Sequence, residues 1–356
     1  MTNRLGIGMI GCGEIAVRTA AAIALSRFAR HAMVMDARAD LARNLGETHG
    51  VAWTDRAEDL LANPAVDAVY VAVPHDLHAP LAMQAVAAGK HVLVEKPIAT
   101  TLADADAMIA AARANEVHLS VNFVAQVDPF YRTARELVAG GAIGKVVGTH
   151  IVYRNNKQAS YWTGGFSGRV QSDWRVSKAR SGGGVLIMNV IHDLNTMRYV
   201  TGLEVDRVHA EYDTFATPVE VEDYIAVTCR YDNGAIGTIE AGTALAGSDP
   251  LRDVDRIYGT TGQILLGPSL RVYPSEPAAG LTAGEWQILP IAPLGADEQQ
   301  VAMVDGFAGP ILAGGEPAVS AEDGRAALAT ILAAYRSGAE GRPIAVSSEV
   351  AEVVNA

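Results

Sequence analysis

The chain lacks the marks of several protein classes. Its 356 residues hold two cysteines, Cys12 and Cys229, far apart and outside any C-x-x-C spacing. That argues against a disulfide framework and against a thiolate zinc site, and it suits a reducing compartment. No basic block occurs and the formal net charge is -12, so a nucleic-acid backbone would be repelled. No stretch approaches the ~18 uncharged apolar residues that a membrane helix needs. The N-terminus carries one Arg before a short apolar run that enters a glycine turn, which reads as a strand and not as a signal peptide. Internal repeats are absent, and alanine richness is the only compositional bias. A soluble cytoplasmic protein without nucleic-acid or membrane partners is expected. Hydrophobic residues at 49% and charged residues at 19% mark an ordinary folded chain, and its length predicts two domains.

What is present begins with Gly11-Cys12-Gly13-Glu14-Ile15-Ala16. The apolar run Ile7 to Ile10 before it predicts a buried strand, and the periodic stretch Val17 to Phe28 after it predicts a helix. Backbone N–H groups at a helix start lack intrahelical partners and, with the helix dipole, form a site for a pyrophosphate. Gly11 allows the tight turn, Gly13 lets the backbone approach the phosphate, and Ala16 takes the place of a third glycine where helix and strand pack. A second apolar run, Ala32 to Met35, ends in Asp36, about twenty residues beyond the motif, where an acid holds a ribose 2′-hydroxyl. Arg38 is placed to meet a 2′-phosphate instead, so NADP stays open beside NAD. Gly11, Cys12, Gly13, Glu14, Ile15, Asp36 and Arg38 are the expected dinucleotide contacts. Taken singly, each also fits an ordinary glycine turn with surface charges.

Strand and helix signals then alternate: helices over 41–50, 55–61, 78–88 and 102–115, strands over 51–53, 67–73, 91–94 and 118–123. Alternation of this kind implies right-handed crossovers and a doubly wound parallel sheet, a Rossmann domain over residues 1–123. Beyond it the pattern changes to a helix over 130–139, a strand over 146–153 and a long loop over 154–184. A helix over 185–200 follows, then strands over 205–212, 224–231, 235–241, 254–259 and 264–266. Asp232-Asn233-Gly234 is a hairpin signal. Helices over 302–312 and 321–337, the latter capped by Ser320, end the pattern. Residues 124–356 are therefore expected to form an α+β domain with a large, mostly antiparallel open sheet.

Ligands in open α/β sheets sit beyond the carboxyl ends of the strands. Pro74, His78 and Glu95 lie at two such ends and are expected to line the cofactor. Lys96, between Glu95 and Pro97, would point to the nicotinamide, hold a substrate oxygen and share its proton. On this residue alone a solvated strand-end lysine is the favoured reading. His75 and His78 have no third ligand cluster, so no metal is expected. On the helix after Gly182-Gly183-Gly184, residues Val185, Met188, Asn189, His192, Asn195 and Tyr199 share one side at helical spacing, away from the apolar side. His192 is either a hydrogen-bonded structural residue or a proton acceptor, since imidazole exchanges protons near neutral pH. Trp162, Trp174, Arg175 and Lys178 in the long loop are candidate substrate contacts, with packing and solvated charge as the alternative.

Taken together, GIGMIGCGEIA at residues 6 to 16, AGKHVLVEKPIA at 88 to 99, WR at 174 and 175 and GGGVLIMNVIHDLN at 182 to 195 resemble the glucose-fructose oxidoreductase, inositol dehydrogenase and rhizopine-catabolism (Gfo/Idh/MocA) family. GAIGKV at 141 to 146 and SAEDGRAAL at 320 to 328 extend the likeness. The resemblance implies an NAD(P)-dependent dehydrogenase acting on a secondary hydroxyl of a sugar, glycoside or cyclitol, with Lys96 and His192 as catalytic residues. It also implies homodimers or homotetramers built through the C-terminal sheet. The chain departs from the family pattern at Met188, where members frequently carry Asp one helical turn before the His. It departs again at Asn195, in place of Asp, and at Gln126, in place of Arg. Met188, Asn189 and Asn195 are therefore expected near the substrate, in a pocket with fewer carboxylates to grip a polyol. A non-sugar ring substrate, such as a dihydrodiol or imine, and a non-catalytic dinucleotide-binding sensor are the rival readings.

Overall fold

The computed structural model describes residues 4–247, 249, 252–278 and 280–347. Its first elements are β1 (Leu5–Ile10), α1 (Glu14–Leu25), β2 (Ala29–Met35), α2 (Ala39–His49), β3 (Ala52–Thr54) and α3 (Ala57–Ala62). Next come β4 (Ala68–Val71), α4 (His78–Ala87), β5 (His91–Val94), α5 (Leu102–Ala114) and β6 (Leu119–Val121). They are followed by α6 (Pro129–Ala139), β7 (Val146–Arg154), α7 (Ala159–Gly164), α8 (Lys178–Ser181) and α9 (Ile191–Thr201), the last preceded by a π turn over Leu186–Val190. Strands β8 (Val205–Asp213), β9 (Tyr224–Tyr231), β10 (Ile236–Gly242), β11 (Asp255–Gly259), β12 (Gly262–Leu266), β13 (Leu270–Pro274) and β14 (Gln287–Ile288) lead to α10 (Ala296–Leu312), α11 (Ala321–Glu340) and β15 (Ile344–Ala345).

Neither of the two compact units is continuous in sequence. The first holds the residues up to Val127 together with Ser160–Gly182 and Gly295–Arg325; the second holds Asp128–Ala159, Gly183–Leu294 and the residues from Ala326 onward. In the first unit six strands lie in the order β3-β2-β1-β4-β5-β6, each pair parallel. The near-continuous apolar runs are explained by burial: every residue of β1 and of β4 is buried, as a sheet covered on both faces requires. The order reverses between β1 and β4, which opens the ligand crevice of a doubly wound sheet at their carboxyl ends. There Gly11 has φ +97°, and a Cβ on it would fall 2.2 Å from the Ala72 carbonyl oxygen. Only glycine permits that approach.

The long loop expected over 154–184 has structure of its own. It carries α7 and α8, and its residues 160–182 belong with the parallel sheet and not with the strands that flank them in sequence. α10 likewise returns to the first unit and packs on α1, where Asp305 accepts a hydrogen bond from Ser26 Oγ at 2.5 Å.

The second unit is built on nine strands in the order β14-β13-β12-β11-β7-β10-β9-β8-β15. All neighbours are antiparallel except β7 and β10. The turn at Asp232-Asn233-Gly234 joins β9 to β10 as expected, closed by Tyr231 N–H on the Ala235 carbonyl at 3.0 Å. Strands β13, β14 and β15 escaped the sequence pattern, the last two because a two-residue strand carries no period. The triple glycine also finds its reason here. The buried Glu222 carboxylate accepts from Gly184 N–H at 2.6 Å, Leu186 N–H at 3.0 Å and the Tyr335 hydroxyl at 2.8 Å. It thereby satisfies the orphan donors at the start of the helix that carries His192. A Cβ on Gly184 would lie 1.9 Å from the Glu222 carbonyl oxygen. Gly184→Ala is therefore expected to lower stability in urea unfolding by about 1–3 kcal/mol; an unchanged midpoint would mean that the backbone there yields freely.

Candidate active site

The glycine turn and the end of β2 form one hydrogen-bonded corner. Asp36 accepts from Cys12 N–H at 2.8 Å and from Arg38 N–H at 2.8 Å, one to each oxygen, while Gly11 N–H binds the Met35 carbonyl at 2.8 Å. Each oxygen keeps acceptor capacity for a ribose hydroxyl. In front of the first turn of α1, a Cβ on Gly13 would meet no atom within 4 Å. That open space, at a helix N-terminus, fits a dinucleotide phosphate. The Cys12 side chain is fully buried and donates to the Met35 carbonyl at 3.4 Å. Burial and the Asp36 charge push its thiol up to about 12, so this position offers a ligand its backbone only. Arg38 pairs with Asp40 at 3.0 Å.

Two expected cofactor side chains serve the protein instead. His78 is fully buried, with Nδ1 2.7 Å from the Pro97 carbonyl and Nε2 2.9 Å from the Val73 carbonyl. It ties the end of β4 to the Lys96–Pro97 turn, whose peptide bond is cis. Glu95 is 7% exposed, and its Oε1 accepts from the Tyr70 hydroxyl and from Asn122 Nδ2, each at 2.5 Å. Its Oε2 accepts from Lys96 N–H at 3.3 Å. Burial and the neighbouring Glu95 charge push the Tyr70 hydroxyl well up, which keeps it a donor. Glu95 thus forms the buried floor on which the half-buried Lys96 stands. Pro74 accepts Leu77 N–H at 2.9 Å and opens a short 3-10 turn, His75–Leu77. In that turn His75 contacts the Ser181 carbonyl through Nδ1 at 2.7 Å.

Segment 160–182 lies against these turns. The carboxylate of Glu14 accepts from Ser167 N–H, Ser167 Oγ and Arg169 N–H at 2.8–3.0 Å. Its role is to hold this segment to the first turn of α1. Trp174 stacks on His75 with ring centroids 4.5 Å apart, and the Arg175 guanidinium lies over Trp174 at 4.5 Å and over Tyr161 at 5.2 Å. Of these, Trp174 and Arg175 are half-exposed and remain available to a ligand, whereas His75 and Tyr161 are buried. Trp162 is not available either, because it is 2% exposed and packs edge-on against Tyr161. Lys178, the first residue of α8, is exposed. Among the described residues no group of three or more His, Cys, Asp or Glu side chains is gathered to hold a metal ion.

In the second unit the π turn breaks the helical spacing on which the expected polar side rested. Met188 is 3% exposed and Asn195 is fully buried, whereas Asn189, His192 and Asp193 are half-exposed. Asn195 accepts from Arg198 Nη1 at 3.2 Å, and Arg198 is in turn held by Glu204 at 2.5–2.8 Å. Its Oδ1 is thereby engaged within the helix, while its Nδ2 is buried without a hydrogen-bond partner among the described residues. Of the polar residues expected with His192, only Asn189 shares its partial exposure among those near it in the turn.

Residues 5–123 match the oxidoreductase family with an NAD-binding Rossmann fold, and residues 131–265 match the Gfo/Idh/MocA C-terminal domain. The 1,5-anhydro-D-fructose reductase of Ensifer adhaerens is 31% identical over 290 residues, covering 80% of this chain and 81% of that protein. The chain belongs to the Gfo/Idh/MocA oxidoreductase family. Myo-inositol 2-dehydrogenase of Thermotoga maritima is 30% identical over 265 residues, 72% of this chain and 74% of that enzyme. The aldose-aldose oxidoreductase of Caulobacter crescentus superposes with a TM-score of 0.80 at 28% identity, over 96% of this chain and 100% of that one. The chain is accordingly an NAD-binding oxidoreductase, and the hydrogen-bonded corner of Gly11, Gly13 and Asp36 lies within the residues that match its Rossmann domain.

Two measurements test the environment of this family member's site. Gly13→Ala is expected to leave the urea midpoint unchanged while weakening NADH binding in a fluorescence titration, because the methyl group enters only the open approach. Equal affinity would place the phosphate elsewhere. Burial lowers the pKa of His31 to about 4 and holds His75 and His78 below the ordinary 6.5. Between these values the unfolded chain binds more protons, so stability rises with pH. This contribution is complete above ~6.5 and is lost as the pH falls toward 4. Thermal unfolding temperatures should drop across that window; a flat profile would show that these rings take up protons while folded.

Proposed function

We propose that the protein oxidises a secondary hydroxyl of a sugar, glycoside or cyclitol, or reduces the matching ketone, with Lys96 and His192 handling the proton. The observation that carries this reading is the buried Glu95 clamp, which fixes the Lys96 turn at the end of β5, where a doubly wound sheet places its ligand. The names of the relatives, a reductase of an anhydrosugar ketone and an inositol dehydrogenase, support the substrate class. When bound, NAD supplies the hydride acceptor. The Lys96 ammonium donates a hydrogen bond to the substrate oxygen and stabilises the charge that grows there as its proton leaves. The His192 imidazole accepts that proton, so that O–H and C–H bonds are exchanged for a carbonyl. Asn189, Trp174 and Arg175 are the proposed substrate contacts, chosen for their partial exposure.

NAD is the proposed working cofactor, because Asp36 is placed for a 2′-hydroxyl and Arg38 is paired with Asp40. We read residues 1–123 as the cofactor domain and 124–356 as the substrate and oligomerisation domain. A homodimer or homotetramer through the nine-stranded sheet is supported by the exposed apolar side chains of Val147, Ile236 and Ile288. The cytoplasm suits the two buried free thiols.

The test follows absorbance at the reduced-nicotinamide band with NAD or NADP and a panel of cyclitols, aldoses, anhydrosugars, glycosides and dihydrodiols. Turnover of a polyol or sugar is expected, with kcat about 10²–10⁴-fold lower in Lys96→Ala and in His192→Ala. Full activity in either variant would remove that residue from the mechanism. Turnover confined to dihydrodiols would move the substrate to a non-sugar ring.

A further inference from the structure

We infer that Arg169 is a phosphate-binding residue of the dinucleotide site, carried there by a strap that Glu14 latches to the first turn of α1. The inference rests on the NAD-binding Rossmann domain and is independent of the proposed substrate. The motif at the glycine turn predicts contacts from the turn itself and from Asp36. Nothing in it points to a residue so much later in the chain.

The latch is specific. Both oxygens of Glu14 are engaged by the strap, Oε2 by Ser167 N–H at 3.0 Å and Oε1 by Ser167 Oγ at 2.8 Å and Arg169 N–H at 3.0 Å. Gly165 makes room for it, since a Cβ there would lie 2.7 Å from Glu14 Cγ. The Arg169 side chain then runs toward α2, where Nη2 donates to Asn44 Oδ1 at 3.0 Å. Its charge also acts on Cys12, as does that of Asp36. The guanidinium is thus held beside the stretch bounded by the glycine turn, Asp36 and Asn44.

Among the described residues no carboxylate pairs with this guanidinium. Arg154, Arg180, Arg198 and Arg325 each pair with a carboxylate. Arg169 has a neutral amide as its hydrogen-bond partner, and its Nε is buried without one. A half-buried cation with open donors is poorly compensated, and a phosphate oxygen, which accepts charge-assisted hydrogen bonds in a fork, completes it. The dinucleotide offers two such groups near this corner, its pyrophosphate and, in NADP, the 2′-phosphate.

The experiment measures Kd for NADH and NADPH by nicotinamide fluorescence in the wild-type protein, Arg169→Gln and Glu14→Gln, with thermal unfolding of the nucleotide-free proteins as the folding control. Loss of one charge-assisted contact is expected to weaken binding about tenfold in Arg169→Gln, to flatten its dependence on salt, and to move Glu14→Gln in the same direction by less. Equal losses for both nucleotides identify the pyrophosphate as the partner. A loss confined to NADPH identifies the 2′-phosphate. Affinities within twofold of wild type for both nucleotides in a folded Arg169→Gln would overturn the inference, and they would leave the proposed roles of Lys96 and His192 untouched.

Discussion

Asp36 accepts two backbone N–H groups at the glycine turn, and the same device recurs at the other turns that carry chemistry. Glu14 receives N–H groups of Ser167 and Arg169, Glu95 that of Lys96, and Glu222 those of Gly184 and Leu186. Turns and helix starts leave backbone donors without partners inside the helix or strand ladder, and a donor buried unsatisfied destabilises the fold. A carboxylate with two oxygens can serve several donors at once and fix their directions. The net charge of -12 is thus partly architectural.

Glycine supplies the complement of this arrangement. A carboxylate can approach a backbone closely only where no side chain stands in the way, and Gly165 and Gly184 sit within reach of Glu14 and Glu222. Gly11 plays a related part where β1 meets the carbonyl of Ala72. The glycines and acids therefore form pairs, and a change to one member alters the geometry set by the other.

Much of the cofactor half was legible in the sequence because its signals are local. The apolar runs of β1 and β4, the glycine turn and the alternation with helices each follow from burial or hydrogen bonding within a few residues. The site side chains were less legible. Asn195 shares a face with His192 at α-helical spacing, yet it is fully buried and bonded to Arg198. The π turn over Leu186–Val190 shifts the register and also places Met188 in the core, and no propensity announces such a turn. Trp162 fits either a ligand stack or a core by its type alone, and here it is buried edge-on against Tyr161. His78 and Glu95 sit at the strand ends where a cofactor was expected, but their polar atoms bind carbonyls, a tyrosine and an amide brought together by different strands.

By itself the sequence determined the parallel sheet, the glycine turn at its first strand, the mostly antiparallel character of the second sheet and the pairing of β9 with β10. Each depends on interactions between residues near in the chain, whose periodicity and turn chemistry can be read directly. Only the tertiary structure decided that residues 160–182 and 295–325 belong with the first unit, that Glu14 holds a strap and that Arg169 reaches Asn44 on α2. Those contacts join residues more than a hundred positions apart, as in the Glu14–Arg169 hydrogen bond with a separation of 155. Such pairings are set by the packing of whole elements, and local pattern carries no record of them.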